Sequence, residues 1–446
     1  MTQDILKIMN ENPVNPTKVH ELTVKMNTVD IADAFELLSK EKIVGMFRLL
    51  PKSIAADVFS YIIPEKQQII VEALTDTEAG RIIDELFVDD AVDFIEEMPA
   101  NVVKHVLQTV NADKRKIINQ LLQYPEDSAG TIMTTEYVDL RENHTVKEAF
   151  DYIRKTGVDK ETIYTCYVIR FDKVLLGAVS AKTLMLADPS DKIGDIMDTH
   201  LILAQTTDDQ EEVSALFTKY GLISLPVVDK EQRLVGIVTV DDIVQIIEEE
   251  TTEDFEKMAA ITPSEDPYMK TGVIKQSRNR IPWLMILMLT AIVTEAIISS
   301  YERAIMVVPV LGAFIPMLMD TAGNAGSQTS VLVIRGMALG EIRTGDILRV
   351  LWREIRVGVL CGLALGVVNF ARVLITNSGN YMLSLTVTVS LIATVIIAKS
   401  VGATLPIIAK KLRLDPAVMA SPVITSIADA SALFIYFGIA TLFLRI

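Results

Sequence analysis

The pattern of hydrophobic and polar positions changes character near residue 270. Before that point apolar residues recur at helical or strand spacing between charged ones. After it they run together in long blocks. In residues 1–130 the period is helical throughout, and Pro51, Pro64 and Pro99 stand where successive helices would begin. Short helices are expected at 52–62, 65–73, 77–86, 89–97 and 100–109, stacked into a superhelix. Such a layer serves as a docking surface, and nothing in it has the look of a catalytic site.

Residues 131–250 contain a repeat with a period of about 60 residues. GTIM (130–133) returns as GDIM (194–197), and TVKEA (145–149) as DQEEV (209–213), each opening an amphipathic helix. YVIRFDKVLLGAVS (167–180) returns as PVVDKEQRLVGIVT (226–239), two apolar strands around a polar turn. This α/β unit, present twice, resembles a tandem pair of CBS domains. Many such pairs bind adenine nucleotides through a Thr and an Asp. Thr239 and Asp242 match those positions, whereas the first unit has Ser180 and Thr183 and lacks the Asp. ATP is therefore a candidate ligand of the second unit.

Beyond residue 270 five stretches approach the length of about 20 apolar residues that a membrane helix needs. They are 281–301, 305–334, 355–376, 382–409 and 416–444, the second interrupted by Pro309, Pro316 and a glycine-rich run. Lys270, Lys275, Arg278 and Arg280 precede the first. Arg335, Arg343, Arg349, Arg353 and Arg356 lie between the second and third, and Lys410, Lys411 and Arg413 between the fourth and fifth. Basic connections mark the cytosolic side, which places the N-terminal half inside and the C-terminus outside a plasma membrane. The start, MTQDILKIMNENP, lacks the basic-then-apolar pattern of a signal peptide.

Charge sharpens the division. From Thr271 onward 15 Lys and Arg stand against 8 Asp and Glu, which leaves 27 against 50 in residues 1–270. An acidic first part disfavours nucleic acid and attracts cations. The two cysteines, Cys166 and Cys361, are too far apart to suggest a disulfide framework, and the four histidines form no soft-metal motif. No nucleophile–base set, P-loop or dinucleotide fingerprint is present, so an enzyme is not expected.

The chemistry that remains is carboxylate chemistry. Ser421, Thr425 and Asp429 fall at i, i+4 and i+8 and share one face of the last span. A carboxylate at that depth is costly unless it meets water, an ion or a partner, which favours a pore. Glu295 and Asp320 also lie within spans, with roles left open. Between repeat and membrane, Asp241, Asp242, Glu248, Glu249, Glu250, Glu253, Asp254 and Glu256 crowd one connecting helix, in a connecting region spanning 243–280. That run is either a solvated face or one share of a set of cation sites, together with Asp89–Asp90, Asp93, Glu96–Glu97, Asp208–Asp209 and Glu211–Glu212.

These features together resemble the MgtE family of magnesium channels across nearly the whole chain. The most specific segments are TAGNAGSQTSVLVIRGMALGEI (321–342) and LDPAVMASPVITSIADASALFIYF (414–437), supported by YPEDSAGTIMTTEYV (124–138), ETIY (161–164) and TVDDI (239–243). The resemblance implies a multidomain membrane protein: a helical N domain (1–130), a CBS pair (131–250), an acidic connecting helix and five transmembrane helices (281–446). It implies a homodimer with its pore on the axis between protomers, lined by Asp429, Thr425 and Ser421 with Gly323 and Asn324 beside them. It also implies regulatory Mg²⁺ at Asp89, Asp93, Asp209, Glu211, Asp242, Glu250, Glu253, Asp254 and Asp415. Two acidic positions of the family are Gln245 and Gly221 here. The expected function is Mg²⁺ import gated by cytosolic Mg²⁺. The alternatives are a membrane-anchored adenine-nucleotide sensor and a divalent-cation carrier of broader selectivity.

Overall fold

The computed structural model describes residues 2–10, 15–264, 268–269, 271–377, 379–419 and 421–445. They form two compact units, Met1–Ile247 and Glu248–Ile446.

Among the described residues, the first unit opens with ten short helices between Thr2 and Leu121. Pro64 takes the first position of the helix Pro64–Ala73, where a missing N–H costs nothing. Thr75 and Glu78 close a reciprocal capping box on Asp76–Glu85. Inward faces meet in an edge-to-face ladder of Phe35, Phe47, Phe59 and Phe94, with centroids 6.2, 5.9 and 5.3 Å apart. Phe94 belongs to helix α1 (Val88–Glu96), which also carries Asp89, Asp90 and Asp93.

The repeat folds as two like sheets. Strands β1 (Val138–Leu140), β2 (Thr165–Ile169) and β3 (Leu175–Ser180) form the first. Strand β4 (Ala204–Gln205), helix α2 (Gln210–Tyr220), and strands β5 (Ser224–Val228) and β6 (Leu234–Thr239) build the second. In each, the first strand pairs parallel and the hairpin antiparallel. The repeated glycine and methionine explain one another across the pair. A Cβ on Gly236 would meet Met133 Sδ at 2.7 Å, and one on Gly177 would meet Met197 Sδ at 2.8 Å. Each leading segment thus packs beneath the other repeat's hairpin, and Thr134 bridges to Ile237 as Asp198 does to Ala178. Gly221 ends α2 with φ +62°, a left-handed cap that favours glycine.

The division between units falls within helix α3 (Val240–Met258), which carries the acidic run. The membrane unit follows with α4 (Val273–Ser300), α5 (Ile315–Ala338), α6 (Ile347–Thr376), α7 (Tyr381–Lys411) and α8 (Ser421–Leu444). Helices α4, α6, α7 and α8 are each long and apolar enough to cross a membrane. The stretch 305–334 is interrupted at its prolines as expected, but not at its glycine-rich run, through which α5 continues unbroken. A short helix Glu302–Val307 and a 3₁₀ turn Pro309–Phe314 precede α5, and Pro309 and Pro316 stand in the first turns of their segments, where the missing N–H costs least. Helix α5 is 24 residues long, about 36 Å. Gly358, Gly362 and Gly366 seat α6 on Ile396 and Ile392 of α7, where a Cβ would find atoms at 3.1, 3.2 and 2.9 Å.

Candidate functional site

In the membrane unit, α5 and α8 meet where the sequence motifs are densest. A Cβ on Gly323 would stand 2.9 Å from Thr425 Cγ2 and 3.4 Å from its Oγ1, so only glycine allows the helices this close. Asp429 lies one turn further along α8, half-buried, and its Oδ1 is buried without a hydrogen-bond partner among the described residues. Asp320 of α5 is near enough for its charge to act on Asp429. On α5, Asp320, Asn324 and Gln328 recur every four residues and are all exposed, one polar stripe along an otherwise apolar surface. Gly323 therefore faces inward to Thr425 while Asn324 faces out. The side chain of Ser421, the first residue of α8, lies outside the described residues. Thr290 of α4 donates to Ser426 at 2.9 Å, tying that helix to α8. Glu295 of α4 is exposed.

The first unit gathers Asp89, Asp90 and Asp93 of α1 with Asp241 and Asp242, and adds Glu161, which the pattern had not marked as a cation-site residue. Burial, then the charge of Asp242, holds the Asp89 carboxyl well above the usual carboxylate range. Burial and the neighbouring Asp242 push Asp90 up to about 7, and burial with Asp90 pushes Asp93 up to about 8. Asp242 rises to about 6, chiefly through burial, with Thr239 Oγ1 donating to its Oδ2 at 2.8 Å. Glu161 rises to about 8 through burial and then Asp242. The cation that acts on Asp90 is Lys114, whose Nζ also donates to the carbonyls of Asp84 and Leu86. The carboxylates repel one another without converging on a point: among the described residues no three Asp, Glu, His or Cys form a metal cage. Spaced acceptors of this kind suit a cation that keeps its water shell, as Mg²⁺ tends to. Asp209 is exposed and caps α2 by accepting from the Glu211 N–H at 2.8 Å; Glu211 is exposed in the first turn.

A second set lies in the other unit. Lys257 Nζ reaches Glu253 Oε1 and Asp415 Oδ2, each at 2.8 Å. Burial, then Asp415, raises the Asp254 carboxyl, and Glu250 and Glu253 add to it. Glu253 and Asp415 thus share one ammonium, whose charge also acts on Asp254, and Glu250 adds its charge beside Asp254. Lys257 was missed because a lysine four residues from a glutamate on a charged helix is commonplace; only the fold brings Asp415 to its other side.

Comparison with known proteins agrees with this organisation. Residues 26–127 match the MgtE intracellular N domain, 193–249 the CBS domain, and 315–439 the family described as MgtE, divalent cation transporter. The magnesium transporter MgtE of Thermus thermophilus is 35% identical over 431 residues, covering 96% of this chain and 95% of its own. Its namesake in Bacillus subtilis is 34% identical over 421 residues, 94% and 93% of the two chains. The soluble part of a magnesium transporter, known from a crystal structure, superposes with a TM-score of 0.53 at 27% identity, over 56% of this chain and 97% of the other.

Proposed function

The chain belongs to the MgtE family of magnesium transporters, and on that premise we propose that it passes Mg²⁺ through a membrane along the α5–α8 face carrying Asp429. The observation that carries this is Asp429 itself: a carboxylate oxygen buried without a donor, one turn from the Gly323–Thr425 approach. Uncompensated charge at that depth is retained where an ion passes. The exposed stripe of Asp320, Asn324 and Gln328 supports a homodimer, because such a face is tolerated against water or protein and not against lipid. We place the pore between two copies, with five spans per chain, the first unit in the cytosol and the C-terminus outside, in a plasma membrane.

The ion is held through its waters by carboxylate and hydroxyl oxygens, strongly enough to enter and weakly enough to leave. For regulation, Asp89, Asp93 and Asp242 in one unit, and Glu250, Glu253, Asp254 and Asp415 in the other, fit outer-sphere Mg²⁺, which would add positive charge beyond that of Lys114 and Lys257. Asp209 and Glu211 are supporting candidates from sequence alone. When the carboxylates are neutralised, α1 and the start of α3 stay together. When they are not, their repulsion drives the N domain from the CBS pair and the pore opens. Thr239 and Asp242, paired at 2.8 Å, are the contacts we propose for ATP.

The test is Mg²⁺ uptake into liposomes by wild type and Asp429→Asn. The expected result is loss of about tenfold or more in maximal rate, with unchanged elution on gel filtration. A folded variant that transports at the wild-type rate removes Asp429 from the path.

A further inference from the structure

A polar layer joins α5, α6 and α7 of the membrane unit. On one side of it lie Ala322, Ala325, Val395 and Ala398, and on the other Val333, Ile334, Ala403 and Ile407. Between them Lys399 of α7, only 6% exposed, donates from Nζ to Thr329 Oγ1 of α5 at 3.2 Å. Thr329, 1% exposed, donates in turn to Glu354 Oε2 of α6 at 3.0 Å. One chain of hydrogen bonds therefore runs from an ammonium to a carboxylate across three helices. The hydroxyl stands between the charges, so neither is desolvated against the other directly. Thr329 follows Gly323 by six residues, about 9 Å along α5.

A buried ammonium is costly, and beside a route for a divalent cation it is also repulsive. Its retention needs a use that the apolar packing on either side does not meet. We propose that Lys399 is a tethered cation. Its ammonium takes, across the Thr329 hydroxyl from Glu354, the place that a free monovalent cation would occupy. The layer is then close to neutral, and α5 is clamped to α6 and α7 so that Gly323 stays at Thr425. Lys399 is a positioning residue, not a ligand of the transported ion. The inference rests on the transport reading, but its test reads the layer itself: absent wild-type uptake would refute transport, whereas the variants below refute the clamp.

Initial Mg²⁺ uptake is measured against Mg²⁺ concentration with the full chain in liposomes, for Lys399→Ala, Glu354→Gln and Lys399→Met/Glu354→Gln. Each single variant, leaving one charge unpaired, should lower the maximal rate about tenfold or more with little change in apparent KM. The double variant, with no charge left, should return most of the rate. Ethylammonium should restore Lys399→Ala several-fold and leave wild type unchanged, a response that a merely structural lysine does not give. Wild-type rates in Lys399→Ala, or a folded Lys399→Ala that ethylammonium leaves unrestored, overturn the proposal. Should Lys399→Ala fail to fold, the remaining pair decides: a double variant as slow as Glu354→Gln also overturns it.

Discussion

Raising the pH of a magnesium-free sample should loosen the first unit, and Mg²⁺ should reverse the effect. In the fold Asp93 titrates at about 8 and Asp90 at about 7, against 3.8 ordinarily. Both values are raised, so the folded state holds protons that the unfolded chain has released. Their contribution is complete below about pH 4 and drains away as pH climbs through 7 to 8. Between about pH 6 and 8, linkage takes about 2 kcal/mol from Asp93 and about 1 kcal/mol from Asp90. At about 2–4 °C per kcal/mol for a unit of this size, the melting midpoint should fall by about 6–12 °C. Glu161, at about 8, and Asp242, at about 6, act in the same direction. The assay uses a buried thiol. Cys166 is fully buried in the first sheet with its thiol pushed up to about 12, so it labels only on unfolding. The other cysteine is Cys361, and Cys361→Ser leaves Cys166 as the sole reporter. Midpoints are compared in chelator and in Mg²⁺, which should protect more at the higher pH because it meets the ionised carboxylates. A midpoint that is flat or rises with pH in chelator would refute the charge accounting, and so would Mg²⁺ protection that ignores pH.

Further expectations follow from single contacts. Gly323→Ala forces a methyl to 2.9 Å from Thr425 Cγ2 and should destabilise the membrane unit by about 1–3 kcal/mol and slow uptake. Adding Thr425→Ser removes that Cγ2 and should restore part of both, as read by thermal midpoint and liposome flux. Lys257→Met deprives Glu253 and Asp415 of their 2.8 Å partner. The set then takes up external cations more readily, and internal Mg²⁺ should shut off uptake at several-fold lower concentration in a flux titration. Unchanged inhibition would show that the set does not sense the ion.

How much of this could be read from the pattern depends on how local each cause is. The helical and strand periods, the repeat and the i, i+4, i+8 alignment of Ser421, Thr425 and Asp429 are local, and they marked the elements and the α8 face. That Met133 packs beneath Gly236, across the two repeats, is a long-range pairing that no period reveals. Glu161 belongs to none of the acidic clusters, and only folding sets it beside Asp242. Gly221, a departure from the acidic pattern, has a conformational reason at φ +62°: a glutamate there would have to hold a left-handed backbone. Lys399 shows the sharper limit. A hydropathy window finds a span by averaging, and a single lysine among some twenty apolar residues vanishes into the mean. Yet the residue that the average discards is the one whose burial is most costly and therefore most in need of a reason. In a membrane helix the exceptions to the apolar run carry the chemistry. Thr329, Glu354 and Lys399 gain meaning only once their partners on other helices are known, because compensation of a buried charge is a tertiary property.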